Sequence, residues 1–130
     1  MIKFYNEVYE PIIKEFNLNP ILISNEEPEE SIDVEILNQI RICRFMICDL
    51  TYSRPSVYFE VGYAFGRGVK IIYTCREDHN SDSSNFKPDI NKVHFDVRNR
   101  KISWWSEQNF DGFKEELRDR IKFYIELQRR

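Results

Sequence analysis

Apolar residues fall into two rhythms along this chain. From Phe45 to Cys48 they form a short apolar run, and Val69 to Cys75 is rich in β-branched residues, the pattern of two strands. Around those runs they recur every three or four positions. Val8, Ile12, Ile13 and Phe16 mark a helix over Tyr5 to Phe16, with Pro11 in its first turns or at a kink. Ile32, Ile36, Ile40 and Cys43, with Leu37 beside them, mark a second helix, for which Ser31 is the N-cap. Val57, Val61, Ala64 and Phe65 mark a third, which starts near Pro55, where the missing N–H costs nothing, and stops at Gly66 and Gly68. Phe113, Leu117, Ile121 and Ile125 recur every four positions in a closing helix over Phe110 to Leu127, with Glu116 and Arg120 on its solvent side.

The remaining strands are read at Pro20 to Ser24, Arg44 to Leu50, Val93 to Val97 and Ile102 to Trp105. Asn25 to Asp33 is an acidic turn segment, and His79 to Lys92 is a long polar loop. Alternation of strand and helix predicts an α/β chain: one domain, built as a three-layer open parallel sheet. In such sheets ligands bind beyond the carboxyl ends of the strands, where loops lead into helices. That places Asp49, at the end of one run, and Glu60, about a turn and a half into the third helix, at the same crevice. Near a helix N-terminus the dipole favours ionised Glu60, which suits a nucleophile better than a proton donor. The alternative for Glu60 is a bond to the preceding loop or to Arg67. Arg76 ends the next strand and is the candidate for a phosphate or carboxylate of the ligand, or else a salt bridge to Glu77, Asp78 or Asp49.

Composition narrows the classes. The 130 residues carry a net charge of −3, 42% hydrophobic and 32% charged residues, so nothing marks a nucleic acid polymer as a partner. No apolar run is long enough to span a membrane, and the start lacks an apolar signal core, so a cytoplasmic location is expected. Cys43, Cys48 and Cys75 are an odd count without ligand spacing and read as buried reduced thiols. No metal or cofactor is expected. A lone His94 in a strand reads as structural.

The segment Asp49-Leu50-Thr51, a short loop, then Pro55-Ser56-Val57-Tyr58-Phe59-Glu60-Val61-Gly62-Tyr63-Ala64-Phe65-Gly66-Arg67-Gly68 resembles the motif of the nucleoside 2-deoxyribosyltransferase-like family, which is distantly similar to TIR-type domains. The resemblance covers Phe4 to Ile125. It implies a flavodoxin-like or Rossmann-like sheet, a nucleoside or nucleotide ligand, and homo-oligomers in which neighbours complete the site. It makes Glu60 the nucleophile that attacks C1′, and gives Asp49 the task of orienting Glu60 or the sugar hydroxyls. Tyr63, Tyr58, Ser56, Arg76 and Asp96 are the substrate-binding candidates, Asp96 alternatively pairing with Arg98. Family enzymes carry a further Asp shortly before the nucleophile, whereas Arg54 stands six positions before Glu60. Nucleotide or dinucleotide hydrolysis is therefore as open as base exchange, and so is a binding module without turnover, or a scaffold that dimerises through this helix. Family members also open with a strand, for which only Met1 to Phe4 remain here. A stub, a strand donated by another chain or truncation of a longer protein would each account for that, and truncation is the expectation.

Overall fold

A computed structural model describes residues 2–22, 34–51, 55–80 and 101–128 of the chain. Three strands, β1 (Met46–Asp49), β2 (Ile71–Arg76) and β3 (Ile102–Trp105), form a parallel sheet in the order β1-β2-β3. Met46 lies opposite Ile71 and Asp49 opposite Thr74, while Tyr73 lies opposite Ile102 and Arg76 opposite Trp105. Parallel neighbours require crossovers, and the one between β1 and β2 is the helix that follows Pro55.

Among the described residues four α-helices accompany the sheet. The segments Ile2–Phe4, Tyr5–Tyr9 and Glu10–Glu15 run on without a break and are taken together as α1; the middle segment is a π-type turn in which the Glu10 N–H reaches back to the Tyr5 carbonyl. Helix α2 is Val34–Ile42, α3 is Pro55–Gly66 and α4 is Phe110–Gln128. Gly68 closes α3 at φ 77°, and the Val69 N–H bonds the Ala64 carbonyl, a left-handed cap that glycine adopts without strain.

Alternation along β2 distributes the helices. Ile71, Tyr73 and Cys75 face one side, where Ile40 of α2 and Val61 and Ala64 of α3 pack. Ile72 faces the other, against Val8 and Ile12 of α1 and Phe113, Leu117 and Ile121 of α4. Residues 71–75 are all buried, as the middle strand of a sheet covered on both faces should be.

Of the three accounts of the first strand, the stub fails, because Ile2–Phe4 is helical. The strand expected at Pro20 to Ser24 is corrected over its described part: residues 20–22 carry no strand, with Ile21 and Leu22 exposed. A three-residue apolar run cannot by itself choose between strand and coil. On α4, Arg120 is not on the solvent side but buried at 7% exposure. Its Nη1 donates to the Tyr73 carbonyl (2.9 Å) and Ser103 Oγ (2.8 Å), and its Nη2 to the Lys101 carbonyl (3.2 Å). Ser103 Oγ in turn donates to Glu116 (3.0 Å), so that residue too is drawn inward. The expected strand at Val93 to Val97, the cap at Ser31 and the acidic segment lie outside the described residues.

Candidate functional site

β1 ends on Asp49, and the alternation that turns Cys48 toward α2 and α3 turns Asp49 toward α1. There its Oδ2 accepts from Trp105 Nε1 (2.8 Å), Thr74 Oγ1 (2.9 Å) and Tyr9 Oη (3.2 Å), and its Oδ1 accepts from the Thr51 N–H (3.0 Å). The Tyr9 and Thr74 hydroxyls are also 2.7 Å apart. Trp105 is held by Phe4, stacked on it at 4.3 Å, and Phe4 meets Tyr9 edge-on at 5.1 Å. Donors to a charged oxygen make the stronger hydrogen bonds, so the carboxylate ties together α1, β1, β2 and β3.

Burial first, and then the adjacent Asp49 charge, push the Tyr9 phenol well above its ordinary pKa. An unfolded tyrosine ionises near pH 10, whereas the folded one keeps its proton there. Stability is therefore expected to be undiminished by this group below about pH 10 and to fall as pH rises above it, where the unfolded chain binds fewer protons. Urea titrations between pH 8 and 11 should show that slope, and Tyr9→Phe should flatten it.

Glu60 comes from the other face of the sheet. It lies on α3 among Val57, Val61 and Ala64, and is 8% exposed. The pKa of the buried Cys48 thiol is driven well up by burial and then by the charges of Asp49 and Glu60. Asp49 and Glu60 border one cavity of about 1110 Å³, which also reaches Thr51, Arg76 and Trp105. The cavity therefore has a polar end beyond the carboxyl ends of β1 and β2, formed by residues from both faces.

Arg76 borders that polar end but is engaged within the protein. Its Nε donates to Asp78 Oδ1 (2.8 Å) and Oδ2 (2.9 Å), and its N–H to Thr51 Oγ1 (3.1 Å). Asp78 also contacts the buried His79 Nδ1 at 2.6 Å. Desolvation pushes the Asp78 carboxyl up, but the bonds from Arg76 and His79 outweigh it and hold the pKa below the usual range. The salt-bridge alternative read for Arg76 is thus present, with Asp78 as partner.

Of the sequence candidates, Asp49, Glu60 and Arg76 come together at the cavity. Tyr58 and Tyr63 pack, half-buried, against the core on the α2 and α3 side and do not border it. The Ser56 side chain and Asp96 lie outside the described residues. Tyr9, Thr74 and Trp105 were not singled out from the sequence. The available signal was a donor-bearing aromatic residue in the first helix and another at the end of a strand, the crevice end of a parallel sheet.

Among the described residues no group of three or more His, Cys, Asp or Glu is placed to hold a metal ion, and no helix is long and apolar enough to cross a membrane. Comparison with protein-family models, with curated proteins and with solved structures found no match.

Proposed function

We propose that the polar end of the cavity takes a nucleoside or nucleotide and that Glu60 promotes cleavage or transfer at its N-glycosidic bond. The observation that carries this reading is a carboxylate on α3, 8% exposed, bordering the same cavity as Asp49 at the end of β1. Departure of a base leaves positive charge on the anomeric carbon, and a fixed negative charge beside that carbon stabilises the transition state. In the covalent version a Glu60 oxygen bonds C1′ while the C1′–N bond breaks and its electron pair leaves with the base. Water or an acceptor then attacks C1′ and releases the carboxylate. The four donors around Asp49 fix its oxygens, which makes it a positioning group that sets the floor of the crevice.

The finer architecture belongs to the same proposal: a flavodoxin-like or Rossmann-like sheet of the nucleoside 2-deoxyribosyltransferase-like kind, in a cytoplasmic homo-oligomer. Phe59 and Phe65 of α3, 49% and 59% exposed, are apolar surface that such an assembly would cover.

A second reading, a nucleotide-binding or sensing module without turnover, is favoured by one feature. Asp49 and Arg76, both at the cavity, already have partners inside the protein. One experiment separates the two. The protein is incubated with NAD, with ribonucleotides and with deoxynucleosides, and free base is followed by chromatography. Release that falls at least a hundredfold in Glu60→Gln supports chemistry. A ligand-dependent rise in melting temperature without release supports binding alone, and neither signal sinks both readings.

A further inference from the structure

The two ends of the sheet differ in chemistry. Asp49 stands at the carboxyl end, where the polar end of the cavity lies. At the amino end Arg44, Lys70 and Lys101 come just before β1, β2 and β3, and the Met46 N–H reaches the Lys70 carbonyl from one strand to the next. Arg41, in the last turn of α2, and Arg67, just past α3, belong to the same end, because each of those helices finishes a few residues before the next strand begins. The last turn of α4 is fastened there too. Gln128 Nε2 donates to the Arg44 carbonyl (2.6 Å), and Arg44 Nε donates to Gln128 Oε1 (3.2 Å). All five bases are exposed, in a chain whose net charge is −3. The carboxylate of Glu126 accompanies them on α4.

Large apolar side chains are exposed at this same end. Ile42, the last residue of α2, is 68% exposed, and Phe123 and Leu127, one turn apart near the end of α4, are 61% and 38% exposed. The negative ends of helix dipoles account for bases at helix C-termini. They give no reason for bare apolar side chains beside those bases.

We infer that the amino end of the sheet is a membrane-surface contact, which seats this end on a bilayer rich in anionic lipid and turns the polar end of the cavity away from it. Two facts select this occupant. The cations complement lipid phosphates and carboxylates, an attraction worth about a fivefold gain in binding for each base near the surface. The apolar residues are held on separate helices with Arg44 between them, rather than gathered into one patch. A folded partner would need a matching pocket for each of them, whereas a headgroup layer yields to each separately as it dips toward the acyl boundary. Such a contact requires no spanning helix, and among the described residues there is none. This inference does not depend on Glu60 doing chemistry, and its test reads no activity.

The probe is a pair of vesicles, one of phosphatidylcholine alone and one of phosphatidylcholine with about 30% phosphatidylserine. The full chain is mixed with each, and bound protein is measured after sedimentation. Two double variants change exposed side chains alone: Arg41→Gln with Lys70→Gln, and Ile42→Ser with Leu127→Ser. Circular dichroism checks that both fold. The expected result is binding to the anionic vesicles at least tenfold tighter than to the neutral ones, weakened at least tenfold by each double variant. Salt raised from about 0.1 to 0.5 M should also release the unaltered chain, which tests the cationic part without any variant. Four results overturn the inference. The first is no binding to either vesicle, and the second is equal binding to both. The third is anionic binding that either folded variant, or the added salt, leaves unchanged. The last is a dimer in sedimentation velocity that the Ile42→Ser, Leu127→Ser variant dissolves, with no vesicle binding, which assigns this end to a second copy.

Discussion

Asp49→Ala is expected to destabilise the fold by about 3 kcal/mol or more, the largest effect of any single polar substitution in the described residues. The side chain accepts four hydrogen bonds, three of them from side chains on α1, β2 and β3. Each bond to a charged acceptor is worth roughly 1.5–3 kcal/mol net, and removing the acceptor also strands buried donors. Relaxation and water entry recover part of that, so the sum is not reached. Trp105 Nε1 suffers most, because an indole only donates, whereas Tyr9 and Thr74 can turn to each other across their 2.7 Å contact. Asp49→Asn is expected to cost less, roughly 1–2 kcal/mol, because the amide has one oxygen for donors that now approach two. Urea unfolding followed by circular dichroism measures both. A loss under 1 kcal/mol for the alanine variant would mean that the carboxylate does not tie these four elements together.

The second large effect is expected at Arg120. Arg120→Met keeps most of the volume but removes the donors that satisfy the carbonyls of Tyr73 and Lys101 and Ser103 Oγ. A loss of about 2–4 kcal/mol follows from stranding buried acceptors. Burial holds the Arg120 pKa down, yet a guanidinium keeps its charge, and Glu116 is close enough to balance it. Ser103→Ala alone should cost about 1 kcal/mol, and the double variant less than the sum, because the two side chains share one bond. Strict additivity in that cycle would show that Arg120 acts on the backbone carbonyls alone.

Arg120 also shows where sequence reasoning stopped. Counting from Phe113, the apolar residues at steps of four drift about 40° per step around α4. Arg120 stands seven positions after Phe113, about 20° from it, and so projects toward the sheet. Its pairing with Glu116 at four positions suggested a solvated face, although the seven-residue spacing placed it inside. The strands at Met46–Asp49, Ile71–Arg76 and Ile102–Trp105 and the helix at Pro55–Gly66 were legible because their apolar rhythm is local. The shell of Asp49 was not, since its side-chain donors lie 25, 40 and 56 positions away and only the fold brings them together. For the same reason the placing of Asp49 and Glu60 at one cavity could be read from one motif, eleven residues apart, while the contribution of the first helix could not.

The wide turn at Tyr5–Tyr9 sets the phase of everything before it. Five residues of ordinary α-helix rotate through about 500°, which would leave Phe4 some 140° away from Tyr9 around the axis. A hydrogen bond spanning five residues instead brings them nearly into line, so both rings reach Trp105 and Asp49 from one side. Rewinding this turn as ordinary α-helix, with no residue lost, would swing Phe4 outward. The aromatic wall beside the carboxylate would then come apart with every one of its members still encoded.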